Sequence, residues 1–383
     1  MCSKFKILMV GPRPPQIGGI EFVVGDLLQS KLVEWCDVYH LDISKPKSRS
    51  AHQFKSVAGY ARSFSRPLRM SFYSFGYSVI HFFRLVYRLA TGGDQVVNLH
   101  SSAYLSYWEK CLYADMAKLF GKKVVVHIHG SAFDSFVEQS GCLARRLLLW
   151  HLRRFDRVIV LSAYWLEFFQ RYLPAERIGL VENGIRTADY SNRVSENTTF
   201  PSIVFVGEVC RRKGIYDLLP ALAELVKTIP DIRLSVVGPG EIDEAAGLAQ
   251  RLGIGEQVEF VGPQYGLDKL RYLQQAWCFC LPSYAEVFPV VILEAMASGL
   301  PVVSTFTGGV PDAVQNGHNG LLVPAGDQRA LAAALSRVLL DRSLRQSMGE
   351  ANRQRALEQY DVTITAAKLY RIYEQVCSSA SAQ

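Results

Sequence analysis

The sequence lacks the cysteine patterns that indicate disulfide cross-links or a structural zinc site. Its 383 residues include eight cysteines, but none forms a Cys-x-x-Cys pair or a zinc-ligand spacing. We therefore expect reduced, mostly buried thiols and a cytoplasmic protein. The N-terminus also lacks the long apolar run of a secretory signal. Its short run before Gly11 and Pro12 predicts a first β-strand instead.

Further absences limit the class of protein. No repeat of solenoid length is present, and a composition of 49% hydrophobic and 20% charged residues excludes a disordered or collagen-like chain. At roughly 150 residues per domain, a chain of this length should form two domains.

Acidic residues are absent between Lys45 and Ala90, where the sequence has nine Lys or Arg and ten aromatic residues. The rest of the chain has 33 basic against 35 acidic residues, so this segment carries the whole positive excess. A second basic amphipathic stretch occupies 142–155. These patterns predict peripheral contact with an anionic membrane surface through 45–90 and 142–155. The alternative is that both stretches pack on a sheet and turn their arginines to water.

Short β-branched runs alternate with helix-length segments along the chain, which predicts βαβ units and parallel sheets. The pattern starts again after a polar stretch at 184–201. We predict an α/β fold of two Rossmann-like, doubly wound parallel-sheet lobes, over 1–183 and 184–361. A helix over 362–378 should pack back on the N-terminal lobe. The predicted strands are 5–10, 38–42, 95–100, 123–128, 157–161, 202–206, 233–237, 258–261, 278–281 and 301–304.

The most informative stretch is 281–305, where a loop carries Glu286 and a helix predicted over 289–298 carries Glu294. Pro289 suits the first helical turn. The helix N-terminus offers free N–H groups and a partial positive charge, which suit a phosphate. Two carboxylates beside it are better matched to sugar hydroxyls, which donate hydrogen bonds to them. The combination predicts a nucleotide sugar, although both glutamates could instead be solvated surface charges. The residues expected at the helix start are Phe288, Pro289 and Val290.

In this context the sequence resembles the retaining glycosyltransferases of the GT-B fold, called family 4 or glycosyltransferase group 1. Their signature is a Glu, seven residues and a second Glu, followed by Ala-Met-Ala-x-Gly-x-Pro-Val-Val; this chain has Glu286, Glu294 and EAMASGLPVV in register. The motifs GGVPDAV and NGHNGLLVP are also similar to the family. The resemblance implies two lobes that face a cleft, with the donor held mainly by the C-terminal lobe. Glu286 would hold or polarise the donor sugar, and Glu294 would hold the ribose.

A second motif, VGEVCRRKG, follows the first strand of the C-terminal lobe. Arg212 and Lys213 stand at a loop–helix junction, where two cations suit a diphosphate leaving group. Family members often have Arg where this chain has Glu208, and Arg211 is a rival candidate. Because no Asp-x-Asp motif is present, we expect no metal and no other cofactor. The cations and the helix N-terminus would stabilise the leaving group instead.

Glycines and a histidine at other strand ends complete the predicted site. The resemblance implies that the loop with Gly262 touches the base through backbone atoms. In the N-terminal lobe, Gly18 and Gly19 would let the backbone approach a ligand closely. HIHG ends another strand, so His129 should face the ligand crevice, where family members carry a His near the reacting sugar. His127 fits this place less well than His129. For each of these glycines and histidines, the alternative is a purely structural role.

The predicted function is transfer of a hexose or N-acetylhexosamine from a nucleoside-diphosphate sugar to a glycan or lipid-linked acceptor. The setting expected is bacterial cell-surface polysaccharide or lipopolysaccharide synthesis, on the inner face of the cell membrane. One alternative is a non-catalytic two-lobe sugar or phosphate binder. Another is a different GT-B enzyme, such as a nucleotide-sugar epimerase or a phosphorylase. No nucleic acid partner is expected, because the basic segment has no recognised nucleic-acid-binding fold.

Overall fold

The computed structural model describes residues 4–14, 18–44, 72–190 and 199–378. The chain forms two compact units. The N-terminal unit contains the described residues up to Gly184 and those from Val362 onward, whereas the C-terminal unit begins at Ile185 and ends at Asp361. The chain therefore passes between the units twice. Most of the basic segment predicted to contact a membrane, residues 45–71, lies outside the described residues.

The N-terminal unit is built on a six-stranded parallel sheet with the order β2-β1-β3-β4-β5-β6. Strands β3 and β4 are buried along almost their whole length, because helices cover both faces of a parallel sheet. Strand β6 was not predicted, since it has three residues and forms an edge. The strands are β1 Phe5–Gly11, β2 Cys36–Asp42, β3 Val96–Ser101, β4 Lys123–Ile128, β5 Arg157–Val160 and β6 Ile178–Leu180.

Eight helices flank this sheet within the described residues. The C-terminal helix, Val362–Ser378, belongs to this unit: Tyr373 is fully buried, and its hydroxyl accepts a 2.8 Å hydrogen bond from Asn98 of β3. The other helices are α1 Gly19–Leu28, α2 Leu32–Trp35, α3 Phe72–Thr91, α4 Leu105–Leu119, α5 Phe133–Gln139, α6 Cys142–Leu152 and α7 Ala163–Gln170. A short 3₁₀ turn occupies Ala175–Arg177.

The C-terminal unit repeats the architecture, with a parallel sheet in the order β12-β11-β10-β7-β8-β9. Its strands are β7 Ser202–Val206, β8 Arg233–Val237, β9 Val258–Gly262, β10 Cys278–Leu281, β11 Val302–Thr305 and β12 Gly320–Val323. Its helices are α8 Ile215–Val226, α9 Ile242–Arg251, α10 Gly266–Gln275, α11 Val290–Ala297, α12 Val310–Ala313, α13 Gln328–Leu340 and α14 Arg342–Gln359. The 3₁₀ turns are Thr187–Tyr190 and Arg211–Lys213. The edge strand β12 was not predicted.

Strands β7 and β10 are neighbours, with Ile203 opposite Cys278 and Val204 opposite Phe279. Because parallel strands end at the same edge of a sheet, the loops that follow them meet. Helix α11 begins one residue later than predicted. Pro289 is its N-cap, with an extended backbone (ψ 116°), so it stands before the first helical turn instead of within it.

Gly214 is the residue that permits the two loops to meet closely. It lies between the 3₁₀ turn and α8 in the left-handed conformation, with φ 79°. A Cβ at this position would overlap the carbonyl oxygen of Pro282, in the loop after β10. Glycine is therefore required both for the backbone angle and for the contact.

We predict that Gly214→Ala lowers the free energy of unfolding by more than the about 1–2 kcal/mol expected from the left-handed backbone alone. The additional loss comes from displacing the Pro282 carbonyl. Gly253→Ala is the matched control, because Gly253 has φ 73° and no atom within 4 Å of an added Cβ. Urea unfolding followed by circular dichroism gives both values, and equal losses would contradict the steric argument.

Candidate active site

The loops after β7 and β10 form one surface of the C-terminal unit. The backbone N–H of Tyr284 donates a 2.8 Å hydrogen bond to the carbonyl of Arg212. The Arg212 guanidinium donates in return to the carbonyl of Ala285, at 3.3 Å. These bonds hold the basic turn Arg211–Lys213 of the first loop beside the part of the second loop that carries Glu286.

Lys213 and Glu286 are paired across these loops. The Lys213 Nζ lies 2.5 Å from Glu286 Oε1, and the Ser283 hydroxyl donates to the same oxygen at 2.7 Å. Their side chains are only 14% and 8% exposed, so the pair is largely desolvated. Desolvated charges need partners, because an unpaired one is strongly unfavourable. The cation predicted for phosphate and the carboxylate predicted for sugar therefore neutralise each other when no ligand is bound.

Glu294 occupies the interior of α11 and is also buried. Its Oε1 accepts two hydrogen bonds, from Lys269 Nζ at 2.6 Å and from the Tyr190 hydroxyl at 3.0 Å. Its Oε2 is buried without a hydrogen-bond partner among the described residues. A buried carboxylate oxygen without a donor is uncommon in proteins. This oxygen therefore keeps its full capacity to accept hydrogen bonds.

The remaining predicted residues of this unit have different surroundings. The Arg212 guanidinium contacts Glu208 at 3.4 Å in a partly exposed pair of the kind that contributes little stability. The Phe288 side chain is buried, and its ring centroid is 5.5 Å from that of Tyr360. Pro289 is buried, and Val290 is partly exposed. The Gly262 carbonyl already accepts a 2.8 Å hydrogen bond from Gly238.

The glycines predicted at the first loop of the N-terminal unit show no conformational requirement. Gly18 is the N-cap of α1 with φ 179°, which is extended backbone open to any residue. A Cβ at Gly19 would meet no atom within 4 Å. Close approach of a ligand is thus the remaining reason for glycine at position 19, and it stays a prediction.

Three histidines cluster at the ends of β3 and β4 in the N-terminal unit. His129 Nε2 is 2.9 Å from His100 Nδ1, and the rings of His127 and His129 have centroids 4.3 Å apart. His127 is fully buried, whereas His129 is partly exposed. Of the two histidines in HIHG, His129 is therefore the one whose position allows ligand contact.

These rings are neutral at physiological pH. Burial lowers the pKa of His129 from its ordinary value of 6.5 to about 3. Burial also lowers the pKa of His100 and of His127 well below 6.5, and the neighbouring His129 adds to both effects. A neutral imidazole here can exchange hydrogen bonds with a sugar hydroxyl without bringing a charge to it.

The nitrogens of His100, His127 and His129 also lie within 4.8 Å of one another, which is near enough to consider a metal ion. The three ring planes, however, differ by only 22° to 33°. Lone pairs in nearly parallel rings do not converge on one point, as the ligands of a tetrahedral zinc ion do. The His100 and His129 rings are stacked, whereas the His127 ring is tilted by 33° to each of them.

Sequence reasoning missed three residues that contact the predicted glutamates: Ser283, Lys269 and Tyr190. Lys269 could have been noticed from its pattern, because it lies four residues before the buried Leu273 on the inner stripe of α10. A lysine on a buried helical stripe needs a nearby acid. Tyr190 gave no such signal, since it lies in the polar stretch interpreted as a linker.

Comparisons with known proteins match each half of the chain to a family model. Residues 187–355 match the model of Glycosyl transferases group 1, and residues 17–189 match that of Glycosyltransferase Family 4. One curated relative is the D-inositol 3-phosphate glycosyltransferase of Corynebacterium jeikeium, 38% identical over 182 residues. That match covers 45% of this chain and 43% of the relative, so the chain aligns with less than half of that protein.

Solved structures show the same fold. The sucrose-phosphate synthase of Thermosynechococcus elongatus has a TM-score of 0.78 at 24% identity, with 98% of this chain and 100% of that chain covered. The HepE protein of Anabaena, solved in complex with UDP, has a TM-score of 0.74 at 19% identity, with 97% and 100% covered. The prediction of two parallel-sheet α/β lobes of the GT-B kind is confirmed.

We predict that the N-terminal unit loses stability as pH falls below 6.5, and that His127→Phe reduces the loss. The unfolded chain binds protons near pH 6.5, whereas the folded rings stay neutral to about pH 3 at His129. The stability that the neutral rings contribute to the folded state is therefore fully present above pH 6.5. Below pH 6.5 the free energy of unfolding decreases, by up to about 1.4 kcal/mol per pH unit for each ring.

Urea unfolding between pH 7.5 and 5, followed by tryptophan fluorescence, measures this slope, because Trp35, Trp108, Trp150 and Trp165 belong to the N-terminal unit. His318→Phe, at an exposed position of the other unit, is the control. An unchanged slope in His127→Phe would show that the fully buried ring does not resist protonation.

Proposed function

Because the chain belongs to the group 1 and family 4 superfamily of glycosyltransferases, whose two models together match residues 17–355, we propose that it transfers a sugar. The donor would be a nucleoside-diphosphate hexose or N-acetylhexosamine, and the product would retain the anomeric configuration. The observation that carries the proposal is the Lys213–Glu286 pair beside the N-terminus of α11. It supports the proposal because a cation that would bind phosphate and a carboxylate that would bind sugar lie together at one edge of the sheet.

In the proposed complex, the donor diphosphate takes the place of Glu286 as the partner of Lys213. The Arg212 guanidinium and the free N–H groups at the start of α11 would bind the remaining phosphate oxygens. Glu286, still held by Ser283, would accept hydrogen bonds from the donor sugar. Glu294 would bind the ribose, and His129 would lie near the reacting sugar as a neutral group.

The proposed reaction needs no covalent intermediate on the protein. The bond from the anomeric carbon to the diphosphate oxygen breaks, and its electron pair leaves with the nucleoside diphosphate. The acceptor hydroxyl oxygen bonds to that carbon from the same side, and its proton passes to a donor phosphate oxygen. Lys213, Arg212 and the helix N-terminus stabilise the negative charge that develops on the leaving group.

We predict that Lys213→Ala weakens nucleoside-diphosphate binding by about tenfold to a hundredfold, because it removes a charge-assisted contact. UDP, GDP and ADP are to be titrated by calorimetry, starting with UDP because HepE was solved with it. Lys227→Ala is the matched control, since Lys227 forms an exposed pair with Glu224 in the same unit. Comparable affinities in the two variants would contradict the phosphate role.

The alternatives differ in what happens to a sugar nucleotide after it binds. A non-catalytic binder leaves it intact, an epimerase changes the sugar but keeps the glycosidic link to the diphosphate, and a transferase releases nucleoside diphosphate. Incubation with UDP-glucose, UDP-N-acetylglucosamine and GDP-mannose, with membrane lipid extract as acceptor, separates these outcomes. Release of nucleoside diphosphate that is lost in Glu286→Gln supports the transferase.

We also propose that the protein works on the inner face of a bacterial cell membrane, in synthesis of surface polysaccharide or lipopolysaccharide. None of the helices in the described ranges is long and apolar enough to cross a membrane. Helix α3 buries Leu85 and Leu89 and exposes an apolar stripe on its other side. The exposed residues of this stripe are Phe75, Val79, Ile80, Phe83 and Tyr87.

Charge and a second helix support the same proposal. Arg84 of α3 is exposed beside the stripe, whereas Arg88 binds Asp94 at 2.8 Å and is not available to lipid. Helix α6 exposes Leu143, Leu147 and Trp150 at helical spacing. Exposed apolar residues beside arginines are suited to an interface with anionic lipid, which would bring the enzyme to a lipid-linked acceptor.

We predict that Phe83→Ser lowers binding to phosphatidylcholine vesicles containing phosphatidylglycerol by about tenfold, given the roughly 1.5–3 kcal/mol for burying such a side chain. Leu340→Ser is the control, since Leu340 in the C-terminal unit is 67% exposed and Phe83 is 65% exposed. Sedimentation with the vesicles measures binding. Equal binding by the wild type and both variants would exclude α3 as a membrane surface. Unchanged binding after Arg62, Arg66 and Arg69 are replaced by Glu would contradict the membrane contact proposed for segment 45–90.

A further inference from the structure

Two residues without a role in the proposed reaction, Lys269 and Tyr190, donate hydrogen bonds to Glu294. We propose that Lys269 and Tyr190 are positioning residues, which anchor one oxygen of Glu294 so that the other is presented to the ribose hydroxyls of the nucleotide. The inference rests on the proposed function, since it concerns the same donor site. It assigns a role to α10 and to the Thr187–Tyr190 turn.

The geometry divides the carboxylate into an occupied and an unoccupied half. Lys269 Nζ and the Tyr190 hydroxyl both donate to Oε1, at 2.6 and 3.0 Å. Oε2 receives no hydrogen bond from any described residue, although it is buried. Because both donors bind the same oxygen, they fix the direction of the other without occupying its lone pairs.

The electrostatics also require a cation at this place. Glu294 is 4% exposed and Lys269 is 8% exposed, so neither charge is well solvated. A carboxylate without a partner would repel the phosphates of a nucleotide bound at the start of α11. Lys269 removes that repulsion while Tyr190 contributes a neutral donor. The arrangement thus keeps a carboxylate that can accept hydrogen bonds from ribose hydroxyls close to the site proposed for the phosphates.

Holding the Glu294 carboxylate in place also reduces the conformational entropy that its side chain loses when a ligand binds. A glutamate has several rotatable bonds, and immobilising it on binding would weaken affinity. Here the side chain is immobilised within the folded unit before a ligand arrives. Affinity for ribose hydroxyls should therefore depend on Lys269 and Tyr190 even though neither touches the ribose.

The test compares each nucleotide with its counterpart that lacks the ribose hydroxyls. The wild type should bind UDP, or GDP or ADP if one of these binds better, at least about tenfold more tightly than the 2′,3′-dideoxynucleoside diphosphate. In Tyr190→Phe and Lys269→Met this preference should fall toward one. In Tyr190→Phe, affinity for the dideoxy compound should change much less, because that compound makes no contact with Glu294. In Lys269→Met, the uncompensated Glu294 should repel the phosphates of both compounds, so the loss of the ribose contact is measured by the preference between them.

Arg271→Met is the matched control, because Arg271 lies on the same helix in an exposed pair with Asp268. It should keep the full preference. Lys269→Met leaves Glu294 without its cation and could lower stability, so Tyr190→Phe and the double variant Lys269→Met with Glu294→Gln are measured with it. The double variant should fold and show no ribose preference.

Two results overturn the inference in distinguishable ways. If Tyr190→Phe and Lys269→Met reduce affinity for the nucleotide and its dideoxy counterpart equally, the two residues are merely structural. If the wild type binds none of UDP, GDP and ADP, the proposed function itself fails and the inference fails with it.

Discussion

The contact between the loops after β7 and β10 is the constraint on which the C-terminal site depends. One backbone hydrogen bond, from Tyr284 to Arg212, joins them, and Gly214 permits the approach. With that contact in place, Lys213 of the first loop can reach Glu286 of the second. Neighbouring parallel strands supply the geometry, because their ends open on the same edge of the sheet. The chemistry of the site is thus set by the backbone before any side chain is considered.

The two units stabilise their buried polar groups in different ways. The C-terminal unit keeps charged side chains at its strand ends and neutralises each with a partner, as in the Lys213–Glu286 and Lys269–Glu294 pairs. The N-terminal unit uses imidazoles, whose burial keeps them uncharged. Paired charges can be exchanged for those of an anionic ligand, whereas neutral rings offer hydrogen bonds only. The strand ends of the two units therefore offer different kinds of contact to a ligand.

The sequence allowed most of the fold to be predicted, because interior parallel strands are continuous runs of β-branched residues. The two strands that were missed, Ile178–Leu180 and Gly320–Val323, are edges, and each includes a glycine that weakens the pattern. The sequence could bring Glu286, Glu294, Arg212 and Lys213 forward as candidates because each motif is local, and their roles stay predictions. Tyr190 and Glu294 are 104 residues apart, so nothing in local spacing could have paired them. Contacts of that kind depend on packing and become visible only in three dimensions.

The return of the chain into the N-terminal unit has a consequence for engineering. The C-terminal helix supplies Tyr373 to the core beneath β3, so the N-terminal unit is assembled from two segments separated by the whole of the other unit. A hybrid enzyme with the donor specificity of a relative therefore requires two splice junctions, at Gly184 and at Val362. A single crossover near residue 184 would combine the sheet of one parent with the closing helix of the other, and complementarity at the Asn98–Tyr373 contact would decide whether such a chimera folds.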